Sequence, residues 1–169
     1  MELILPTKEY ELSYRSYIEE LGDEERYPFP LDFDHQDFSA LLERIEEIRN
    51  GIRLPENYVA STTYWLIDKG EIVGVSNLRH QLNDSIRFMG GHIGLSTRPS
   101  VRKSGVGKIL MQKTLEQATN MGIREIHIHC EKSNPASANL IQSCGGELHS
   151  EVTGDAHSGV VQRFIIRTL

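Results

Sequence analysis

The run Gly90-Gly91-His92-Ile93-Gly94-Leu95-Ser96-Thr97-Arg98-Pro99-Ser100-Val101-Arg102-Lys103-Ser104-Gly105-Val106-Gly107 changes character twice, from strand to loop to helix. Ile93, Leu95 and Thr97 alternate with His92, Gly94 and Ser96, the period of two that marks a strand. Gly90, Gly91 and Gly94 are weak strand formers; glycine inside a strand marks a bulge or a close approach to its backbone. Pro99 ends the strand, and a strongly helical run follows, opening at Val106 and continuing through Lys108 to Met121. Backbone N–H groups freed by glycine at a helix N-terminus form an anion site. Arg102, Lys103 and Lys108 add positive charge around it. The stretch is a candidate phosphate cradle, although a plain glycine-rich turn would use the same residues.

Spacing excludes two familiar phosphate loops. A Walker A loop needs Gly-x-x-x-x-Gly-Lys-Ser/Thr, but Gly107-Lys108 is followed by Ile109 and the earlier glycine position holds Arg102. A dinucleotide fingerprint needs Gly-x-Gly-x-x-Gly, and the third position after Gly105 and Gly107 is Leu110. The pattern that fits is Arg/Gln-x-x-Gly-x-Gly/Ala, filled by Arg102, Gly105 and Gly107.

A chain of 169 residues suits one domain, here 1–169, with ample core. Its 38% hydrophobic and 25% charged content is ordinary for a soluble globular protein. No apolar run approaches a membrane span, and Met1-Glu2-Leu3-Ile4-Leu5-Pro6 lacks the basic and apolar regions of a signal peptide. Cys130 and Cys144 show no metal spacing, so reduced thiols and a cytoplasmic location are expected. Residues 1–50 carry 5 Lys/Arg against 14 Asp/Glu, whereas 51–169 carry 13 against 10. The overall acidic balance argues against a nucleic acid partner. The basic excess from Arg98 to Lys113 suits a phosphate-rich ligand. The acidic N-terminal part is read as solvated helix faces, with steering of a cationic amine as the alternative.

In chain order, Glu2 to Leu5 reads as a short strand and Lys8 to Leu21 as a helix ended by Gly22. Arg26-Tyr27-Pro28-Phe29-Pro30 is an extended aromatic connection. A second helix spans about 35–50, with Phe38, Leu41, Leu42, Ile45 and Ile48 at helical spacing. Tyr58 to Ile67 and Glu71 to Leu78 form a hairpin around Asp68-Lys69-Gly70. The helix from Val106 is expected to bury Val106, Leu110, Thr114, Ala118 and Met121. Arg124 to Cys130 is a strand. Pro135 to Ser143 is a short helix capped near Asn134 and ended by Gly145-Gly146. Glu147 to Val152 and Val160 to Thr168 close the chain as a hairpin over a loop between Gly154 and Gly159.

The Arg102–Gly107 pattern, set after a strand and opening a helix, resembles the GNAT superfamily of acyl-CoA-dependent N-acyltransferases. The element order resembles that family's plan over nearly the whole chain. A second match is Asn134-Pro-Ala-Ser-Ala-Asn-Leu-Ile-Gln-Ser-Cys-Gly-Gly146, similar to the family's Asn-x-x-Ala/Ser segment ending in a glycine turn. Asn77-Leu-Arg-His80 and Gly90-Gly-His-Ile-Gly94 resemble a bacterial branch of predicted acetyltransferases. The resemblance implies an α/β fold (α+β by some schemes): a mixed, mostly antiparallel twisted sheet of about seven strands with a splayed central strand and about four helices. It implies acetyl-CoA as co-substrate and no metal. Pantetheine would enter the gap beside the splayed strand, and Leu95, Ser96 and Thr97 would hold the thioester. The cradle Arg102, Lys103, Ser104, Gly105, Val106, Gly107 and Lys108, with Asn134, would bind the rest of the cofactor.

The family often uses a Glu near the start of the splayed strand as base and a Tyr in the last helix as acid. Here Gly91-His92 and Ile141 stand at about those places. An imidazole titrates near neutrality, so His92 is read either as the base or as a hydrogen-bonded structural histidine. Arg79 and His80 are candidates for holding a substrate carboxylate, or are ordinary strand-end groups. His127 and His129 are read as a polar sheet face, Tyr64 and Trp65 as packing residues, and Cys144 as a small residue before a turn. The expected activity is acetyl transfer to a primary amine, small-molecule or peptide, with neither nucleic acid nor membrane as partner and homodimerisation left open. A non-catalytic acyl-CoA sensor is the alternative.

Overall fold

In the computed structural model, which describes residues 1–154 and 159–168, the order is β1 (Glu2–Ile4), α1 (Glu11–Leu21), α2 (Phe38–Arg49), β2 (Ser61–Asp68), β3 (Glu71–Arg79), α3 (Asp84–Phe88), β4 (Ile93–Thr97), α4 (Val106–Asn120), β5 (Glu125–Glu131), α5 (Pro135–Ser143), β6 (Glu147–Thr153) and β7 (Val160–Arg167). The mixed α/β plan is the expected one, with seven strands paired antiparallel. They divide into two sheets, β1-β2-β3-β4 and β5-β7-β6. The loop of the last hairpin, 155–158, lies outside the described residues.

Local chemistry sets the helix limits. The first helix begins as a single 3-10 turn over Lys8–Tyr10 and becomes α-helical at Glu11. The second starts at Phe38, later than its apolar spacing suggests, because the Asp37 carboxylate accepts from Ala40 N–H at 3.1 Å and caps it. Helix α3 has no counterpart in the sequence reading: five residues are too few for a period, although Asn83 caps it by accepting from Ile86 N–H at 2.9 Å. In α4 the buried side chains are Val106, Leu110, Met111, Thr114 and Ala118. Met121, expected inside, lies past the helix end and is exposed.

Helices α1 and α2 cover one face of the first sheet. Tyr14, Tyr17, Ile18 and Leu21 of α1 and Phe38, Leu41 and Ile45 of α2 pack on Trp65, Ile67 and Val75. Tyr14 stacks on Trp65 with ring centroids 5.4 Å apart, so Trp65 is core, as its sequence context suggested. Helix α4 covers the other face, with α5 beside it on β5, and a cluster of Leu78, Ile93, Met111, Ile126, Ile128, Ile141 and Phe164 bridges both sheets. Among the described residues, no helix is long and apolar enough to cross a membrane.

The division between the sheets positions the site. One isolated antiparallel bridge, Gly91 with Ile128, ties the strands together at the start of β4. Beyond it, no ladder joins β4 to β5 among the described residues. A split remains between them, which is the splayed central strand expected from the sequence.

Candidate active site

Ladder alternation determines which β4 amides face the split. Arg79 N–H donates to the His92 carbonyl at 2.7 Å, and Arg98 N–H to the Val73 carbonyl at 2.9 Å. Hydrogen-bonded pairs alternate with unbonded ones in an antiparallel ladder, so Gly94 and Ser96 turn their backbone groups toward Asn77 and Val75. The amides of Ile93, Leu95 and Thr97 face the opening. Of the three residues named for the thioester, Leu95 and Thr97 therefore present backbone donors there, and Ser96 does not. The Ser96 hydroxyl instead meets the Tyr17 hydroxyl at 2.7 Å.

The loop after β4 ends in a set of unengaged donors. Arg102 N–H donates to the Pro99 carbonyl at 3.3 Å, and the next backbone N–H with an acceptor is that of Ile109, on Gly105 at 3.2 Å. The six amides from Lys103 to Lys108 donate to nothing among the described residues. Left-handed backbone at Lys103 (φ 63°) and Gly105 (φ 88°) turns this run so that it enters α4 with its N–H groups unpaired. The Ser104 hydroxyl braces the turn on the Val101 carbonyl. The Arg102 side chain is committed elsewhere, to the Thr97 carbonyl at 3.2–3.3 Å and to Glu24 at 2.8 Å. Arg98 is interior and paired with Glu20, so both guanidiniums are held in ion pairs with α1 and the residues after it. Asn134 caps α5, accepting from Ser137 N–H at 3.2 Å, which leaves its amide NH2 available.

The other strand-end residues divide between two faces. Neighbours on a strand point oppositely, so Arg79 and His80 do not meet one ligand together. His80 pairs with the Thr62 hydroxyl at 2.7 Å. The partly buried Arg79 donates to the Gly91 carbonyl at 2.8 Å and has no carboxylate partner among the described residues. On its face the buried Asn77 amide donates to Ser61 at 3.0 Å and Thr63 at 3.3 Å. Tyr27 reaches this face from the α1–α2 connection, with its hydroxyl against Gly94. Sequence reading missed Tyr27; its only signal was aromatic character in an extended segment. Ile141, where the family's tyrosine was sought, is wholly buried in the core.

His92 is 5% exposed and tied at three atoms. Its N–H donates to the His127 carbonyl at 2.6 Å, its carbonyl accepts from Arg79, and its Nδ1 accepts from His127 N–H at 2.9 Å. An imidazole that accepts at Nδ1 carries its proton on Nε2. The group left over is a donor, and the lone pair that a general base needs is occupied. His129 repeats the pattern, with Nδ1 accepting from Gly90 N–H at 3.0 Å. His127 faces Glu125 at 3.0 Å. The three histidines thus sew β5 to the Gly90–His92 turn. Among the described residues no group of three His, Cys, Asp or Glu side chains is arranged to hold a metal.

Burial, and then the charges of His127 and nearby arginines, hold His92 down at about 4 and His129 at about 3. Both are neutral in the folded protein at neutral pH, whereas histidine in the unfolded chain titrates near ~6.5. Between about pH 6.5 and the folded values the unfolded state binds more protons, so stability falls as pH falls. Each histidine contributes up to about 1.4 kcal/mol per pH unit in that window. Urea unfolding from pH 7.5 to 4.5 should show a steep loss beginning near 6.5, flattened in His129→Gln; a level profile would contradict this arrangement.

The model of the acetyltransferase (GNAT) family matches residues 11–145. No curated protein sequence matches the chain significantly. Among solved structures, a mutant of the spermidine N-acetyltransferase SpeG from Vibrio cholerae superposes with a TM-score of 0.69 at 16% identity, covering 99% of this chain and 95% of that one. Ribosomal-protein-alanine N-acetyltransferase from Brucella melitensis gives 0.67 at 15% identity, over 99% of this chain and 100% of the other. A third, described as an acetyltransferase from Salmonella typhimurium with its cofactor acetyl-CoA, gives 0.65 at 12% identity, over 98% and 92%. At such identities the likeness establishes the fold.

Proposed function

Because the chain belongs to the GNAT acetyltransferase family, we propose that it transfers an acetyl group from acetyl-CoA to a primary amine. The observation that carries this reading is the continuity between the open edge of β4 and the loop after it. Amides of Ile93, Leu95 and Thr97 face the split, and six unpaired amides from Lys103 to Lys108 follow at the helix start. The first set suits a thioester carbonyl and an extended pantetheine arm. The second suits a pyrophosphate, whose negative charge also gains from the helix dipole. We assign Lys103, Lys108 and the Asn134 amide to the same ligand.

The amine approaches from the α1–α2 side, toward Gly94, and Arg79 offers a cation for a carboxylate it carries. The amine sheds its proton to solvent before attack. His92 positions Gly91 and the start of β4, so His92→Gln should retain most of the wild-type kcat/KM. General-base assistance is worth ~100- to 10,000-fold; a loss of that size in His92→Gln, with acetyl-CoA affinity intact, would restore His92 as the base. The unpaired Cys130 and Cys144 suit a reducing cytoplasm.

One observation favours a sensor that binds acyl-CoA without transfer: Ile141 and the engaged His92 leave both customary proton-handling places empty of an available group. The two readings separate on free-thiol release from acetyl-CoA with amino acids, polyamines and peptides as acceptors. Release with any of them supports transfer; binding with no release supports the sensor.

A further inference from the structure

We propose that Tyr27 is a catalytic residue of the transfer step, a phenol that hands the proton of the attacking nitrogen to the departing sulfur. The inference rests on the acetyl-transfer reading above and supplies the proton handling that Ile141 and His92 do not. Tyr27 lies in the connection between α1 and α2, and 41% of its surface is exposed. Its hydroxyl end nevertheless reaches the sheet. A Cβ built on Gly94 would stand 2.7 Å from the Tyr27 Oη, 2.8 Å from Cζ and 3.0 Å from Cε1, closer than any side chain tolerates. Glycine at 94 is therefore what admits the phenol to β4. Gly94 sits between Ile93 and Leu95, the residues whose amides face the split.

The hydroxyl lies against the sheet and has no hydrogen-bond partner among the described residues. The rest of the side chain is open to solvent. Burial pushes its pKa up, opposed by the Arg79 charge and reinforced by Glu25 and Cys130. It therefore stays protonated at neutral pH. Of the other phenols on this face, Tyr17 is already paired with Ser96 and Tyr14 is stacked in the core on Trp65.

The step balances without another reactant. The neutral amine attacks the thioester carbon, the C–N bond forms and the C–S bond breaks. The surplus proton on nitrogen passes to Tyr27 Oη while the phenol's own proton passes to sulfur. The products are an amide and a free thiol, and Tyr27 ends as it began.

The test uses the full chain, with acetyl-CoA affinity measured by calorimetry and turnover by thiol release with the best amine of the panel. Tyr27→Phe should lower kcat/KM by about 100-fold or more, leaving acetyl-CoA affinity and the melting temperature near wild type. Gly94→Ala, which displaces the hydroxyl, should lose a similar factor. The double variant should be no worse than either single one, because both remove the same group. Full activity in Tyr27→Phe would overturn the relay while leaving the acetyl-transfer reading in place. A loss of acetyl-CoA affinity in proportion to activity would overturn it too, reducing the hydroxyl to a binding contact. Failure of the wild type to release thiol with any amine, despite binding acetyl-CoA, would remove the transfer reading and the relay with it.

Discussion

Gly107→Asp should abolish acetyl-CoA binding while leaving the fold intact. Gly107 is in the first turn of α4, where its N–H is one of the six unpaired donors. A Cβ built there meets Leu140 at 3.4 Å and Thr97 at 3.8 Å, ordinary contact distances, so the protein itself has room for a side chain. An aspartate in the first turn also favours the helix through its dipole, by about 0.3–1 kcal/mol. Any loss of binding then comes from the carboxylate standing where a pyrophosphate belongs. Like charges brought together cost about several kcal/mol, which is at least ~100-fold in affinity. Calorimetry beside a thermal melt reads both quantities. Retained affinity would place the phosphates elsewhere. Gly105 is the weaker probe, because its φ of 88° adds backbone strain to any substitution.

Arg98→Ala should be the most destabilising single change among the basic residues near the loop. Arg98 is 4% exposed. Its Nε donates to the Ile72 carbonyl at 2.8 Å, and its terminal nitrogens reach Glu20 at 2.9 Å, the Ser13 carbonyl at 3.0 Å and the Ser16 hydroxyl at 3.2 Å. The guanidinium also lies over the Tyr17 ring, 5.3 Å from its centre. It fastens α1 to the β3–β4 edge, and with α1 the Tyr17–Ser96 contact. Truncation removes the donor to the buried Ile72 carbonyl and the counter-ion of Glu20, and leaves a cavity the length of the side chain. Breaking a buried pair costs about 3–5 kcal/mol, and the partial exposure of Glu20 puts this case near the lower end. In a domain of this size about 3 kcal/mol lowers Tm by roughly 6–12 °C. A shift under a third of that would mean water replaces the lost partners.

These two residues mark where the sequence was legible. The strand, loop and helix around Gly105 and Gly107 follow from short-range pattern: alternation up to Thr97, Pro99 as terminator and a long amphipathic run after Val106. The seven strands and the capped helix at Asn134 were readable for the same reason. Arg98 and Arg102 looked alike on the page, two cations beside a phosphate loop. Their partners, Glu20 and Glu24, lie 78 residues earlier in the chain. Only the packing of α1 against the loop reveals that both are ion-paired. Tyr27 was hidden in the same way, since its contact with Gly94 depends on the α1–α2 connection folding over β4. His92 was legible as a residue near the split. Its tautomer was not, because that is set by His127 N–H, a backbone donor on another strand.

The central claim is tested most directly by mixing the protein with acetyl-CoA carrying an isotopically labelled acetyl group and the amine panel, then weighing the amines by mass spectrometry. The account predicts that at least one amine gains the labelled acetyl group, with free thiol released in equal amount and with neither change in Gly107→Asp. Tight binding of acetyl-CoA with every amine unlabelled would contradict it.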